Sequence, residues 1–322
     1  MAWSRGSSSA IALHTIRTLI ATPNGYVLLA PLPGERWITF VGNLRPEEVE
    51  RAERDPGFET VRAAYAHRLG DAVLLEDVAW AAAFRMHHRL VSHLADRRCV
   101  LLGDAGHLSS PFGGEGLNSG MWDAHNLAWK LGLEIGGHAT GALLASYDAE
   151  RLAADRHVVE VSDRLHAVAQ GAVEAARTGE SLPPPAPEQV AALVRARSML
   201  DITYADSPLV GEHVDAGAAS ADPSVPGPGD RYPDRTMLTG TKHHLLLFGA
   251  VEETTVARLR SRWDRLVDVQ RGNGDPGRAG LAGGTGAVLV RPDGHIGFRA
   301  APADAAGLEA LDAHLGSYLV SA

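Results

Sequence analysis

Apolar residues recur along this chain with two different periods, and the period assigns the element. Over residues 14–41 they fall into three short runs, 14–20, 26–30 and 36–41, separated by Pro23-Asn24-Gly25 and Pro33-Gly34. Short runs bounded by such turn residues read as strands, so a β-meander is expected. Two helical pieces follow, 46–54 and 58–68, with Phe58, Val61 and Tyr65 in the second spaced to face the sheet. Residues 100–103 read as a short strand ending at Asp104. Over 116–135 the period is helical, with Leu117, Met121, Ala124, Ala128 and Leu131 on one stripe and Gly136-Gly137 as terminator. A second helical region, roughly 143–177, leads to the stiff Pro183-Pro184-Pro185 connector.

After a Pro- and Gly-rich stretch at 222–230 come a strand (244–248), a helix (252–266), a hairpin (287–290 and 295–299, turned at Pro292-Asp293-Gly294) and a closing helix (305–318). The expected class is therefore α/β (α+β) in three segments: a sheet region over 1–99, a loop and helical region over 100–221, and a small α/β domain over 222–322. Residues 1–10, with three consecutive serines, have the composition of a frayed terminus.

Charge narrows the partners. The net charge of -9, with no run of Lys or Arg, argues against a nucleic-acid surface or an anionic membrane and favours a small molecule. Cys99 is the only cysteine, so no intrachain disulfide forms and a reducing, cytoplasmic setting is expected. His87, His88 and His93 are not spaced to share a helix face, so no metal site is expected there. His243 and His244 are expected at the surface, and Trp122 and Trp129 in a core or an interface.

The informative chemistry lies in Gly103-Asp104-Ala105-Gly106-His107-Leu108-Ser109-Ser110-Pro111-Phe112-Gly113-Gly114-Glu115-Gly116-Leu117-Asn118. A strand end carrying a carboxylate, a glycine-rich loop and a helix amino terminus expose backbone N–H groups to a ligand. The first helical turn adds unpaired donors and about half a positive charge, which favours an electron-rich ligand edge. Asp104 is suited to accept hydrogen bonds from sugar or polyol hydroxyls.

This string, with Asp123-Ala124-His125-Asn126-Leu127-Ala128-Trp129-Lys130 behind it, resembles the second FAD-binding motif of FAD-dependent aromatic-ring and polyketide hydroxylases. These are the phenol hydroxylase-like branch of the group A flavoprotein monooxygenases. Residues 84–89, 143–151 and 204–209 are similar to family text as well, Gly106 standing where the family usually has alanine. The resemblance implies that Gly103 and Asp104 meet the ribityl and pyrophosphate region of FAD. It implies further that Pro111, Phe112, Gly113 and Gly114 line the reactive face of the isoalloxazine, and that Gly116, Leu117 and Asn118 lie under its pyrimidine edge. NADPH as reductant, O₂, a flavin C4a-hydroperoxide and a small aromatic or polyketide substrate, as in antibiotic biosynthesis, are implied with it. So are a substrate-binding sheet at 26–41, a thioredoxin-like carboxy-terminal domain (here without cysteine for disulfide exchange) and a possible homodimer.

The Gly-x-Gly-x-x-Gly unit that opens such enzymes is not found in the sequence; Gly283-Gly284-Thr285-Gly286 leads into a strand and reads as a hairpin connection. Three expectations follow: a hydroxylase part completed by a chain that supplies the amino-terminal Rossmann half; a flavin-independent cyclase, isomerase or dehydratase using His87, His88, His107 and Arg89; or a non-catalytic truncated homologue.

Overall fold

The computed structural model describes residues 18–34, 36–70, 75, 78–220, 222, 224–234, 236, 238 and 240–321. The expected features at 1–10 and 14–17 lie outside the described residues. The chain forms two compact units, one of residues 1–87 and 162–187, the other of residues 88–161 and 188–322. Among the described residues no helix is long and apolar enough to cross a membrane.

In the first unit, β1 (Thr18–Thr22), β2 (Gly25–Leu32) and β3 (Arg36–Gly42) form the expected antiparallel meander. Side chains alternate across it. Val27 and Leu29 face inward and are buried with Tyr65, joined by Ile20, Trp37, Val41 and Val61. Helix α2 (Phe58–Leu69) covers that side, and α1 (Pro46–Arg54) packs against α2. Pro46 suits the first helical position, where no donor is needed. Val61 and Tyr65 pack as expected, but Phe58, at the first position of α2, is 37% exposed: a shared helical face does not guarantee a neighbour at its end. The buried guanidinium of Arg68 binds Glu48 at 3.1 Å and the carbonyls of Gly42 (3.1 Å) and Asn43 (2.8 Å), tying α2 to α1 and to the end of β3. Burial pushes the Glu48 carboxyl up, but the hydrogen bonds from Arg68 and Arg45 outweigh it and hold it at about 2. On the other side of the sheet, Leu28 pairs with Phe40 and Ala30 with Ile38. Phe84 meets Phe40 edge-on at 5.9 Å, and both Ile38 and Phe84 stay exposed.

In the second unit, four two-residue strands come first: β4 (Arg89–Leu90), β5 (Ala95–Asp96), β6 (Cys99–Val100) and β7 (His107–Leu108). The strand expected over 100–103 is thus only Cys99–Val100. Leu101 and Leu102 are exposed, and Gly103 turns the chain with a φ of 58°, so pairing cannot continue. Helices α3 (Gly116–Ile135) and α4 (Gly141–Thr178, whose last part belongs to the first unit) match the expected spans closely. The expected stripe of α3, however, is exposed at Leu117, Met121, Ala124 and Ala128, and its buried face is Ser119, Asp123, Asn126, Leu127 and Lys130, held by the polar contacts of α4. Then come α5 (Pro187–Ser198), β8 (Gly211–Val214), β9 (His243–Phe248), α6 (Glu253–Trp263), β10 (Val267–Arg271), β11 (Gly286–Val290), β12 (Ile296–Ala301) and α7 (Ala305–Tyr318).

The five later strands form one mixed sheet in the order β10-β9-β11-β12-β8. Strand β9 is parallel to β10 and antiparallel to β11, and β12 is parallel to β8. Leu245 and Leu247 of β9 face α6 and α7 through Val256, Leu259, Trp263, Leu308, Leu311 and Leu315. Leu246 and Phe248 face the other way, with Val288, Val290 and Tyr232. Each fully buried leucine of this kind contributes about 1.5–3 kcal/mol. His243 and His244, expected at the surface, are 1% and 3% exposed because β9 is an interior strand with buried faces on both sides. Trp129 packs against the larger core and Trp122 against a smaller one with Tyr204.

Candidate functional site

The 103–118 segment folds as a single turn of 3-10 helix at Gly103–Ala105, the short strand β7, a turn through Pro111 to Gly113, and the start of α3. Asp104 is exposed and helps to line a cavity of about 240 Å³ with Arg89, Leu90, Val91 and His107. Pro111 to Asn118 are not among the residues lining that cavity. Gly114 is exposed with a φ of 74°, a conformation that glycine alone adopts without strain. Helix α3 starts after Glu115 with no side-chain cap. Leu117 is 78% exposed and Asn118 lies beside it at the surface, so the first turn of α3, with its partial positive charge, lies at the surface of this unit. Gly116 is half-buried against Ser109, and Pro111 and Phe112 are half-buried.

Gly113 departs from expectation. It is buried, a Cβ there would fall 1.6 Å from the Glu115 carboxylate, and its carbonyl accepts a hydrogen bond from Arg197 at 2.8 Å. Its missing side chain makes room for Glu115, so the open approach to a ligand belongs to Gly114. Arg197, on α5, also binds Glu115 at 3.1 Å and ties the loop to a helix that the sequence reading did not include.

Behind the loop lies a buried cluster that spacing along the chain could not show. Asp123 of α3 accepts from the Gly103 amide at 2.9 Å and from Arg151 Nε at 2.7 Å, and pairs with His107 Nε2 at 2.8 Å. Arg151 of α4 also reaches Asp155 (2.9 Å) and Tyr204 (3.0 Å), and Ser119 donates to Asp155. Burial alone would push the His107 imidazole down; the hydrogen bond to Asp123 and the charges of Asp155 and Asp123 outweigh it and raise it. For Asp123 burial is likewise overcome, by His107 and Arg151, and its carboxyl is held low. Burial and the neighbouring Asp123 raise Asp155. His107, Asp123 and Asp155 converge within 4.8 Å, as metal ligands do, but the guanidinium of Arg151 already bonds both carboxylates and supplies the positive charge. His107, one of the groups a flavin-independent reaction would use, is 2% exposed and paired.

A second buried cluster lies farther along α3 and α4. Glu150 receives Lys130 Nζ (2.8 Å), Arg291 Nη1 (2.6 Å) and Asn126 Nδ2 (2.8 Å), while Asp293 pairs with Arg291. Burial pushes Lys130 down to about 8, against the pull of Glu150. Burial pushes Glu150 up, yet Arg291 and Lys130 hold it at about 2. Arg291 and Asp293 belong to the turn between β11 and β12, so this cluster fastens the five-stranded sheet to α3 and α4.

Comparison with known proteins bears on the same segments. The family described as FAD binding domain matches residues 7–162, and the family described as aromatic-ring hydroxylase, C-terminal, matches residues 213–318. The 6-methylpretetramide 4-monooxygenase of Streptomyces rimosus is 32% identical over 333 residues, covering 92% of this chain and 58% of that protein. Among solved structures, the anhydrotetracycline hydroxylase OxyS of Streptomyces rimosus superposes with a TM-score of 0.68 at 26% identity, over 94% of this chain and 60% of that one. The flavin-dependent monooxygenase PieE, solved with FAD and substrate, gives a TM-score of 0.66 at 26% identity, over 92% and 60%. The chain therefore spans about three-fifths of the length of these relatives.

Proposed function

Because this chain belongs to the family of FAD-dependent aromatic-ring hydroxylases, we propose that it forms the flavin-facing and carboxy-terminal part of a monooxygenase that hydroxylates a small aromatic substrate of the polyketide class. NADPH is the proposed reductant. The observation that carries the reading is the uncapped first turn of α3 at the surface of its unit, with Gly114, Leu117 and Asn118 exposed and the Asp104 carboxylate exposed on the preceding turn. These residues fit FAD. Asp104 would accept hydrogen bonds from ribityl hydroxyls, and the amides of Gly116, Leu117 and Asn118 would meet the electron-rich pyrimidine edge, where the helix dipole favours negative charge. Pro111, Phe112 and Gly114 would border the ring face and limit water there. Bound FAD supplies the redox chemistry that activates O₂; the chain's residues bind, orient and shield.

The open side of the first unit's sheet, with Leu28, Ala30, Ile38, Phe40 and Phe84, suits a flat apolar substrate. The expected stripe on α3 supports a further body of protein carrying the dinucleotide-binding half. Leu117, Met121, Ala124 and Ala128 are all exposed along it, at 78% and 56% for the first two, which is unusual for one continuous apolar face. The order β9–α6–β10 followed by β11–β12–α7 supports the thioredoxin-like reading of the carboxy-terminal region.

The test is a visible absorption spectrum after incubation with FAD and desalting, for the chain alone and for the chain co-expressed with a dinucleotide-binding half. Retained flavin absorbance in either preparation is expected. A cooperatively folded, colourless protein in both would overturn the proposal.

A further inference from the structure

Asp123 sits where the Gly103 turn, β7, α3 and α4 meet. Its Oδ2 accepts from the Gly103 amide at 2.9 Å and lies 2.8 Å from His107 Nε2, while its Oδ1 accepts from Arg151 at 2.7 Å. Asp123 is on α3, seven residues beyond Gly116, so one rigid helix carries both this carboxylate and the first turn at the surface. A separate contact keeps the same alignment: a Cβ on Gly120 would stand 3.2 Å from the Gly103 Cα, so turn and helix touch backbone to backbone. Asp104 follows Gly103 directly, and the angle of its exposed carboxylate depends on where the Gly103 amide is held.

We propose that Asp123 is the positioning residue of the flavin-facing loop, fixing the Gly103–Asp104 turn against the first turn of α3 and thereby setting cofactor affinity without touching the cofactor. This rests on the reading that residues 103–118 face FAD. The groups that face His107 and Asp123 are Asp155 and Arg151 from α4 and, through Arg151, Tyr204. Their balance raises His107 and holds Asp123 low, which favours the charged form of each partner in a contact whose geometry is set by the 2.8 Å pairing.

The experiment uses the full chain, with amide hydrogen exchange and histidine-ring NMR in the absence of FAD and an FAD titration alongside. In the wild type the Gly103 amide exchanges far more slowly than that of Asp104, and its shift follows the titration of His107. Asp123→Asn speeds Gly103 exchange, lowers the His107 pKa and weakens FAD binding by about tenfold, the size expected for one charge-assisted hydrogen bond. Asp123→Glu restores part of each. Glu150→Gln, which disturbs the other cluster, lowers the melting temperature and leaves Gly103 exchange unchanged. If Asp123→Asn does not fold, the wild-type titration and His107→Gln decide the matter, the latter weakening FAD binding in the same direction. Fast Gly103 exchange in the wild type, or wild-type FAD affinity in folded Asp123→Asn, overturns the proposal. A wild type that shows the exchange behaviour but binds no FAD, either alone or with a dinucleotide-binding half, keeps the positioning role and overturns the flavin reading.

Discussion

Two clusters of buried charge lie along the same pair of helices, and they differ in what they hold. The Glu150 cluster joins α3 and α4 to the β11–β12 turn, and each of its charged members is buried to the last few percent. The Asp123 cluster joins the same helices to a turn whose next residue, Asp104, is exposed. Glu150 and Asp123 each receive branched hydrogen bonds from a buried guanidinium and further donors, as buried ions require, while Asp155 Oδ2 has no partner among the described residues. The Glu150 cluster also reaches a surface segment, since Ser207 donates to Glu150 between the exposed Asp206 and Pro208, whereas the segment held by Asp123 carries the carboxylate that lines a cavity. The difference separates a device that fastens the body of the protein from one that aims a binding loop.

The sharpest way to break this comparison is Glu150→Ala, which leaves Lys130 and Arg291 buried without their shared carboxylate. A loss of about 3–5 kcal/mol is expected in denaturant unfolding, since uncompensated buried charge is costly. Acid acts on the same cluster. Glu150 is held at about 2 against an ordinary 4.5, so its contribution is present above 4.5 and is lost as pH falls toward 2. Thermal melts across that range should show a decline on the order of 3 kcal/mol from this group. His107 has the opposite sign: its contribution is complete below 6.5 and fades as pH rises through its raised value, so loosening of the 103–108 turn is an alkaline effect. Asp104→Ala sharpens the other half of the comparison. The side chain is exposed, so stability should stay within about 0.5 kcal/mol while FAD affinity drops about tenfold, measured by flavin fluorescence. The smallest effect belongs to Arg197→Ala. It removes Arg197 from the buried Glu115 carboxylate and the buried Gly113 carbonyl, and a few-fold loss of FAD affinity with a measurable fall in melting temperature is expected.

What the sequence revealed follows from the range of the forces involved. The meander, α3, α4, α6, α7 and the hairpin were legible because local period and turn chemistry decide them, and the glycine-rich loop was legible because its pattern is contiguous. Strand β10, Val-Asp-Val-Gln-Arg, was not, since it is short and follows α6 closely; its parallel pairing with β9 creates it. His243 and His244 read as surface by residue type, yet the sheet around β9 buries them. Helix α5 carries Val190, Leu193 and Val194 at helical spacing just after the Pro183-Pro184-Pro185 run, and in sequence it reads as part of that connector; the three residues are exposed. Neither charge cluster could be read at all: Arg291 meets Glu150 across 141 positions, and Asp123 finds Arg151 across 28. Gly113 taught a finer point, because a glycine in a binding motif can serve its neighbour's side chain, here Glu115, rather than the ligand.

The most direct test is hydrogen exchange of the protein with and without FAD, in whichever preparation retains the flavin. The account predicts that added FAD slows exchange at residues 103–104 and 114–118 more than anywhere else in the second unit. Unchanged exchange over those residues, with protection appearing in other parts of that unit, would contradict it.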